Sequence, residues 1–229
     1  MRWTDHWMSR AAAGAVALCC VFAATNAQAQ SKKSAKQTAS LEKAGEASKA
    51  AVQDSLGSLG SLLTGYNSII NGEAKDNQKA YKKLVGDLKS TEKKIDGSKK
   101  QVAALGKEAD KFFKAWEQDL ASISSESLRE KSAGRMEAAK NRYASLGETL
   151  AAAGQEFAPV IQNLNDQILF LGRDLSPEAI ADLEDEAAAL NQQAEVAIAK
   201  VKQMLEAAGK DQAEAEAEIE APDAATEEE

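Results

Sequence analysis

YKKLVGDLKSTEKKIDGSKKQVAALGKEADKFFKAW, residues 81–116, decides the fold. Tyr81, Leu84, Leu88, Thr91, Ile95, Ser98, Val102, Leu105, Ala109, Phe112 and Trp116 fall at alternating steps of three and four. That period keeps one stripe of a helix facing a partner helix, whereas a strand would need alternation every second residue. Thr91, Ser98 and Ala109 make the stripe thin. Gly86, Gly97 and Gly106 lower intrinsic helix propensity, so tertiary contacts must supply the difference.

The same reading extends in both directions. Upstream, Val52, Leu56, Leu59, Leu63, Tyr66 and Ile70 make a shorter seam that Asn71-Gly72 breaks. Downstream, Ser122 to Ser125 is a polar break, with Ser124 or Ser125 placed to cap the next helix. That third segment runs through Leu128, Ser132, Arg135, Ala139, Tyr143, Leu146, Leu150 and Ala153. Pro159 predicts a kink rather than an end, because Phe157, Val160, Ile161, Leu164, Ile168, Leu169, Leu171 and Leu175 continue the apolar pattern. Ser176-Pro177-Glu178 then starts a fourth helix, with Ile180, Leu183, Ala187, Leu190, Ala194, Ala197, Val201, Met204 and Ala208 on its seam and Gly209 at its stop.

The expectation is an all-α protein, an elongated antiparallel bundle or coiled coil of four long helices with disordered termini. Short connections place the first and fourth helices along one base of the central hairpin. The distal part, carrying Phe112, Phe113, Trp116 and Leu120 against Leu128, Ser132 and Met136, is then expected to be two-stranded and to leave Phe113 more exposed than Phe112.

Residues 1–29 read as a cleavable signal peptide. Arg2 and Arg10 open it, Ala11 to Ala24 form a short apolar run, and Ala27-Gln28-Ala29 has the small-x-small pattern of a cleavage site. The alternative is a lipoprotein anchored through Cys19 or Cys20. No later stretch approaches the roughly 20 apolar residues of a membrane span. Removal of this segment takes both cysteines and the single histidine, His6, with it. The remainder then lacks a thiol nucleophile, soft metal ligands and the usual proton shuttle near neutral pH, which argues against an enzyme and against any metal or cofactor site. The expected location is the periplasm.

Charge divides the chain. The net charge is −8, yet from Lys210 onward one lysine faces nine carboxylates, so the body is near neutral. Composition alone therefore suggests a flexible basic N-terminus over 30–40, a helical bundle over 41–209 and an acidic disordered tail over 210–229.

A set of motifs also carries a resemblance. Lys111-Phe-Phe-Lys-Ala-Trp-Glu, Ser127-Leu-Arg-Glu-Lys-Ser, Asn141-Arg-Tyr, Ala158-Pro-Val-Ile, Asp166-Gln-Ile-Leu-Phe-Leu and Leu175-Ser-Pro-Glu-Ala-Ile occur in this order. Together, over roughly Tyr81 to Met204, they resemble the bacterial envelope family catalogued as domain of unknown function 2959. The chain departs from that family at Gly172-Arg173-Asp174. The resemblance implies a helical, exported protein and brings no activity with it. Trp116, Glu117, Leu128, Arg129, Arg142, Tyr143, Pro159, Asp166, Gln167 and Phe170 are the matching motif positions, without an assigned role.

Three groups are candidate sites. Lys93, Lys100, Lys107 and Lys114 recur every seventh residue, a stripe about 30 Å long on the face away from the seam. It is either a solvated outer face or a surface for an anionic envelope component such as lipid or cell-wall polymer. Phe112, Phe113 and Trp116 are either core or, where exposed, a contact for a protein partner or for self-association. Asn163, Asn165, Asp166 and Gln167 sit among apolar neighbours and, with Arg142 or Arg173 as a charge partner, are expected to form a register-fixing polar layer, the alternative being a ligand pocket. The carboxylates Asp182, Glu184, Asp185 and Glu186 lack the spacing of a calcium loop and complement a helix N-terminus instead. Nucleic acid is not an expected partner for an acidic exported protein without aromatic residues among its lysines. The leading expectation is a non-enzymatic envelope scaffold or interaction protein acting through coiled-coil contacts. The alternative is a binding module for anionic lipid, cell-wall glycan or a small hydrophobic ligand.

Overall fold

The structure, a computed structural model, describes the backbone of residues 32–220 and the side chains of 36–209. The expected signal peptide, Cys19 and Cys20, and residues 221–229 lie outside the described residues. Six helices follow one another: α1 (Lys32–Ile70), α2 (Asn77–Ala121), α3 (Glu126–Gln155), α4 (Phe157–Leu171), α5 (Pro177–Ala181) and α6 (Glu184–Glu220). No strand occurs among the described residues. The protein is an all-α helical bundle.

Each break has a local cause. Gly72 adopts φ +69°, the left-handed conformation that ends α1, and its N–H bonds the Ile69 carbonyl at 3.1 Å. Asp76 opens α2 by accepting from the Lys79 N–H at 3.0 Å. Ser125 caps α3 through the Leu128 N–H, and Ser176 caps α5 through the Ala179 N–H, with Pro177 at the first helical position. The kink expected at Pro159 falls at Glu156, between α3 and α4. A proline ring presses on the carbonyl four residues upstream, here Gln155, so the ladder gives way before the proline itself.

Two expectations about helix ends are corrected. The fourth helix is interrupted once, at Asp182–Leu183, where the Leu183 N–H bonds the Ile180 carbonyl in a tightened turn. It then passes through Gly209 to Glu220, so Gly209 is no stop. Runs of Ala, Glu, Gln and Lys favour helix without a seam, and one glycine costs only about 1 kcal/mol. At the other end, α1 begins at Lys32, upstream of its first seam residue Val52.

Cross-helix contacts set the register. α1 and α2 run antiparallel, with Ser40 bonded to Glu108, Ser48 to the Gln101 carbonyl and Ser58 to Thr91 at successive levels. Trp116 Nε1 donates to Ser132 Oγ between α2 and α3 at 3.1 Å. Lys200 pairs with Glu156, and Asn163 with Gln193, which lays α6 antiparallel along α3 and α4. Asn67 and Asn191 exchange two hydrogen bonds between α1 and α6. α1 and the α3–α4 rod thus both lie beside α2 and α6, and α1 also touches α3, where Gly45 approaches Tyr143 and Leu146.

One continuous core results. Val52, Leu59, Tyr66, Leu84, Leu105, Leu150, Phe157, Leu164, Leu190 and Val201 are all fully buried, or nearly so. The thin seam positions Thr91 and Ser98 are buried as well. Their hydroxyls bond the Asp87 and Ile95 carbonyls of their own helix, so neither hydroxyl is orphaned where the helices approach.

The two-stranded tip is corrected. Leu41 is buried and Ser40 reaches Glu108, so α1 accompanies the hairpin well beyond its predicted start. Phe113 is 4% exposed and Phe112 9%, the reverse of the expected order. Tyr143 of α3, with Phe112 and Trp116 of α2 itself, surrounds the flanking position Phe113, which is therefore enclosed together with the seam. The start of α3 is also offset. Leu128 is 59% exposed and Arg135 is exposed, while Met136 takes the inward place.

Candidate interaction surfaces

The aromatic cluster is packed into the bundle. Phe112 meets both Phe113 and Trp116 edge to face, at 5.2 and 5.6 Å between centroids. Phe113 stacks on Trp116 at 6.5 Å and tilts against Tyr143 of α3 at 6.3 Å. Phe112 and Phe113 are therefore buried, and Trp116 is half-buried. Tyr143, a motif position without an assigned role, is what closes the cluster from the α3 side.

Beside the cluster lies an open groove of ≈ 670 Å³ between α2 and α3, which periodicity alone did not indicate. Its walls include Val102, Phe113 and Tyr143, and Gly106, Ala144 and Gly147 line it without filling it. No side chain contacts a Cβ built at Gly106 or Gly147, so the space is open rather than tightly packed. Charges of both signs border it, with Lys114 and Lys140 facing Asp110, Glu117 and Glu148. The sequence signal was present in the small residues at helical spacing on two neighbouring helices, but which helix faces they occupied depended on the packing.

The lysine stripe falls where the heptad put it. Lys93, Lys100, Lys107 and Lys114 are all exposed. None of the four enters an ion pair among the described residues. Other lysines of α2 do pair along the helix, as Lys99 does with Asp96 and Lys111 with Glu108. The hydrogen bond from Lys111 holds the Glu108 carboxyl below its usual range, with Ser40 contributing.

The polar layer exists with a different membership. Tyr66 donates its hydroxyl proton to Gln167 Oε1. Gln167 Nε2 in turn donates to Asn163 Oδ1 at 2.9 Å and to the Glu186 carbonyl at 3.2 Å. Asp166 is exposed and outside this network. Arg142 is far along α3, with its buried Nε lacking a hydrogen-bond partner among the described residues. On α4 the inward angle belongs to Gln167, and Asp166, one residue earlier, turns about 100° away. Tyr66 and the α6 backbone were the unpredicted partners, because they come from distant parts of the chain.

Asp182, Glu184, Asp185 and Glu186 are all exposed around the start of α6, where they oppose the positive end of the helix dipole. Among the described residues no group of three or more His, Cys, Asp or Glu side chains converges as metal ligands would. No helix of the described residues is long and apolar enough to cross a membrane.

Comparison with known proteins adds one match. A family described as "Protein of unknown function (DUF2959)" matches residues 27–213. No curated protein and no solved structure matches this chain.

Proposed function

This chain belongs to the DUF2959 family of proteins of unknown function, and from its own geometry we propose that it is a non-enzymatic, exported interaction protein whose α2–α3 face receives a helix of a protein partner. The groove between Phe113 and Gly147 carries this reading. A partner helix needs small residues beneath it to approach closely, apolar walls to dry the contact and a charged rim to set register. Gly106, Ala144 and Gly147 supply the first, Val102, Phe113 and Tyr143 the second, and Lys114, Lys140, Asp110, Glu117 and Glu148 the third. The packed aromatic cluster serves as a rigid wall in this reading, and contact through heptad-spaced residues of the partner follows from the groove's straight course along two helices.

Export through cleavage after Ala29 places this function in the periplasm, and lipid attachment at Cys19 or Cys20 is the competing form. Intact mass of the protein recovered from cells distinguishes the two: a chain beginning at Gln30 without lipid supports the first. The groove is tested by a photo-crosslinker placed at Ala144, with Lys93 as the control face. A partner captured from Ala144, absent from Lys93 and lost when Gly147→Phe fills the groove supports the reading. Equal capture from both faces, or capture indifferent to Gly147→Phe, overturns it.

A second reading rests on the lysine stripe. Four aligned ammonium groups without ion-pair partners suit adsorption to an anionic envelope component rather than a helix. Salt-sensitive cosedimentation with anionic vesicles, lost on Lys100→Glu together with Lys107→Glu, favours that alternative.

A further inference from the structure

A second concave feature lies at the opposite end of the bundle, where the start of α2 meets the turn between α4 and α5. It is a cleft of ≈ 420 Å³, lined by Gln78, Tyr81, Lys82, Gly172, Arg173 and Asp174 among others. This volume is within the range of about 300–1,000 Å³ typical of small-molecule sites.

Tyr81 occupies the first seam position of α2, yet it is only half-buried and carries its hydroxyl out to the cleft. The hydroxyl lies directly against Gly172: a Cβ at that position would collide with it, and would also come within 3.3 Å of the Leu169 carbonyl. Gly172 has φ −66°, so glycine is needed here for space and not for an unusual backbone. The phenol thereby lies against the turn after α4, at the mouth of the cleft.

The donors around it are uncommitted. The side chains of Gln78, Tyr81, Lys82 and Arg173 make no hydrogen bond or ion pair with another described residue. Gln78, Lys82 and Arg173 are exposed at the rim of the cleft and Tyr81 is half-buried in it, whereas Tyr66, Asn67, Asn163 and Gln167, which meet partners between elements, are engaged. The one carboxylate in the lining, Asp174, already accepts the Ser176 N–H at 2.8 Å. Two cations, a phenol and an amide therefore surround a space whose single acid is turned to the turn preceding α5.

We propose that this cleft binds a phosphate group, free or carried as a monoester on a small soluble molecule. Arg173 supplies a planar fork for two oxygens and Lys82 a second charge. Tyr81 Oη and the Gln78 amide donate to the remaining oxygens. This site is separate from the α2–α3 groove, and its fate does not depend on that reading.

Amide NMR titration of the full chain with inorganic phosphate, and separately with glycerol 3-phosphate, tests the proposal against sodium chloride at equal ionic strength. Saturable shifts confined to residues 78–82 and 171–175 are expected with at least one of the two phosphates and not with chloride. Arg173→Ala should weaken binding at least tenfold and Tyr81→Phe several-fold, with the amide spectrum away from the cleft unchanged in both. Shifts that follow ionic strength alone, or affinity unchanged in Arg173→Ala, overturn the proposal.

Discussion

Tyr66 is fully buried, and its hydroxyl is the donor on which the polar layer depends. Tyr66→Phe leaves Gln167 Oε1 without that donor in a dry site, which should cost about 1–3 kcal/mol in urea unfolding. Burial first, and the Glu186 charge second, push the phenol well above its ordinary range. The folded state therefore favours the neutral ring, while the unfolded chain titrates near pH 10. This contribution to stability is complete below about pH 10 and is lost as pH rises through the folded value. Melting temperature should fall more steeply above pH 10 in the native protein than in Tyr66→Phe; parallel curves would remove Tyr66 as the cause. At the aromatic cluster, Phe113→Ala should destabilise by about 3–5 kcal/mol, because the ring is buried and touches three others. A loss below about 1 kcal/mol in denaturant unfolding would return Phe113 to the surface. The sequence placed Gln167 and Asn163 in a polar layer correctly because they interrupt an apolar run. It misplaced Asp166 because residue type does not reveal on which side of a single turn a polar group falls, and Arg142 because its level along α3 depends on how the helices pair.

At the scale of the element, local chemistry was readable wherever it was self-contained. Asn71-Gly72, Ser125 and Ser176-Pro177 act within a few residues of themselves, so their sequence signatures and their structures agree. Gly72→Ala tests one of them. An L side chain at φ +69° costs about 1–2 kcal/mol, and no atom lies within 4 Å of the added Cβ, so strain in the backbone is the only penalty. A destabilisation of that size by thermal unfolding is expected, and none would mean that the turn relaxes freely. Seams were readable too, down to Thr91 and Ser98, since period outweighs polarity when a hydroxyl can bond its own helix. Helix ends without a turn motif were not. Gly209 looked like a stop, but propensity carried α6 to Glu220. The flanks of the seam were equally hidden. Phe113 lies one step from it, and only the placement of α3, with Tyr143 against the ring, decides that this step points inward.

At the scale of the molecule, the heptads indicated four antiparallel rods, and the bundle has them. The grooves between rods depend on splay and side-chain size across helices far apart in sequence, so neither the α2–α3 groove nor the cleft at Gly172 was legible beforehand. What was legible is the elongated shape, and scattering can measure it. α2 has 45 residues and should extend about 68 Å. α1 accompanies it on one side, and α3 with α4 returns along another, so little material lies off the long axis. A uniform rod of that length has an axial radius of gyration of about 20 Å before its width is added. A compact globule of 229 residues would give about 17 Å. Small-angle X-ray scattering of the monomer should therefore return more than about 20 Å, with a pair-distance distribution skewed toward long distances. Truncation after Gly209 removes the acidic segment and separates its contribution from that of the rods. The asymmetry should survive that truncation, because α2 and its neighbours define the length. A value near 17 Å in the truncated chain would mean that the helices fold back on themselves in solution, and the straight α2–α3 groove would not exist in that state.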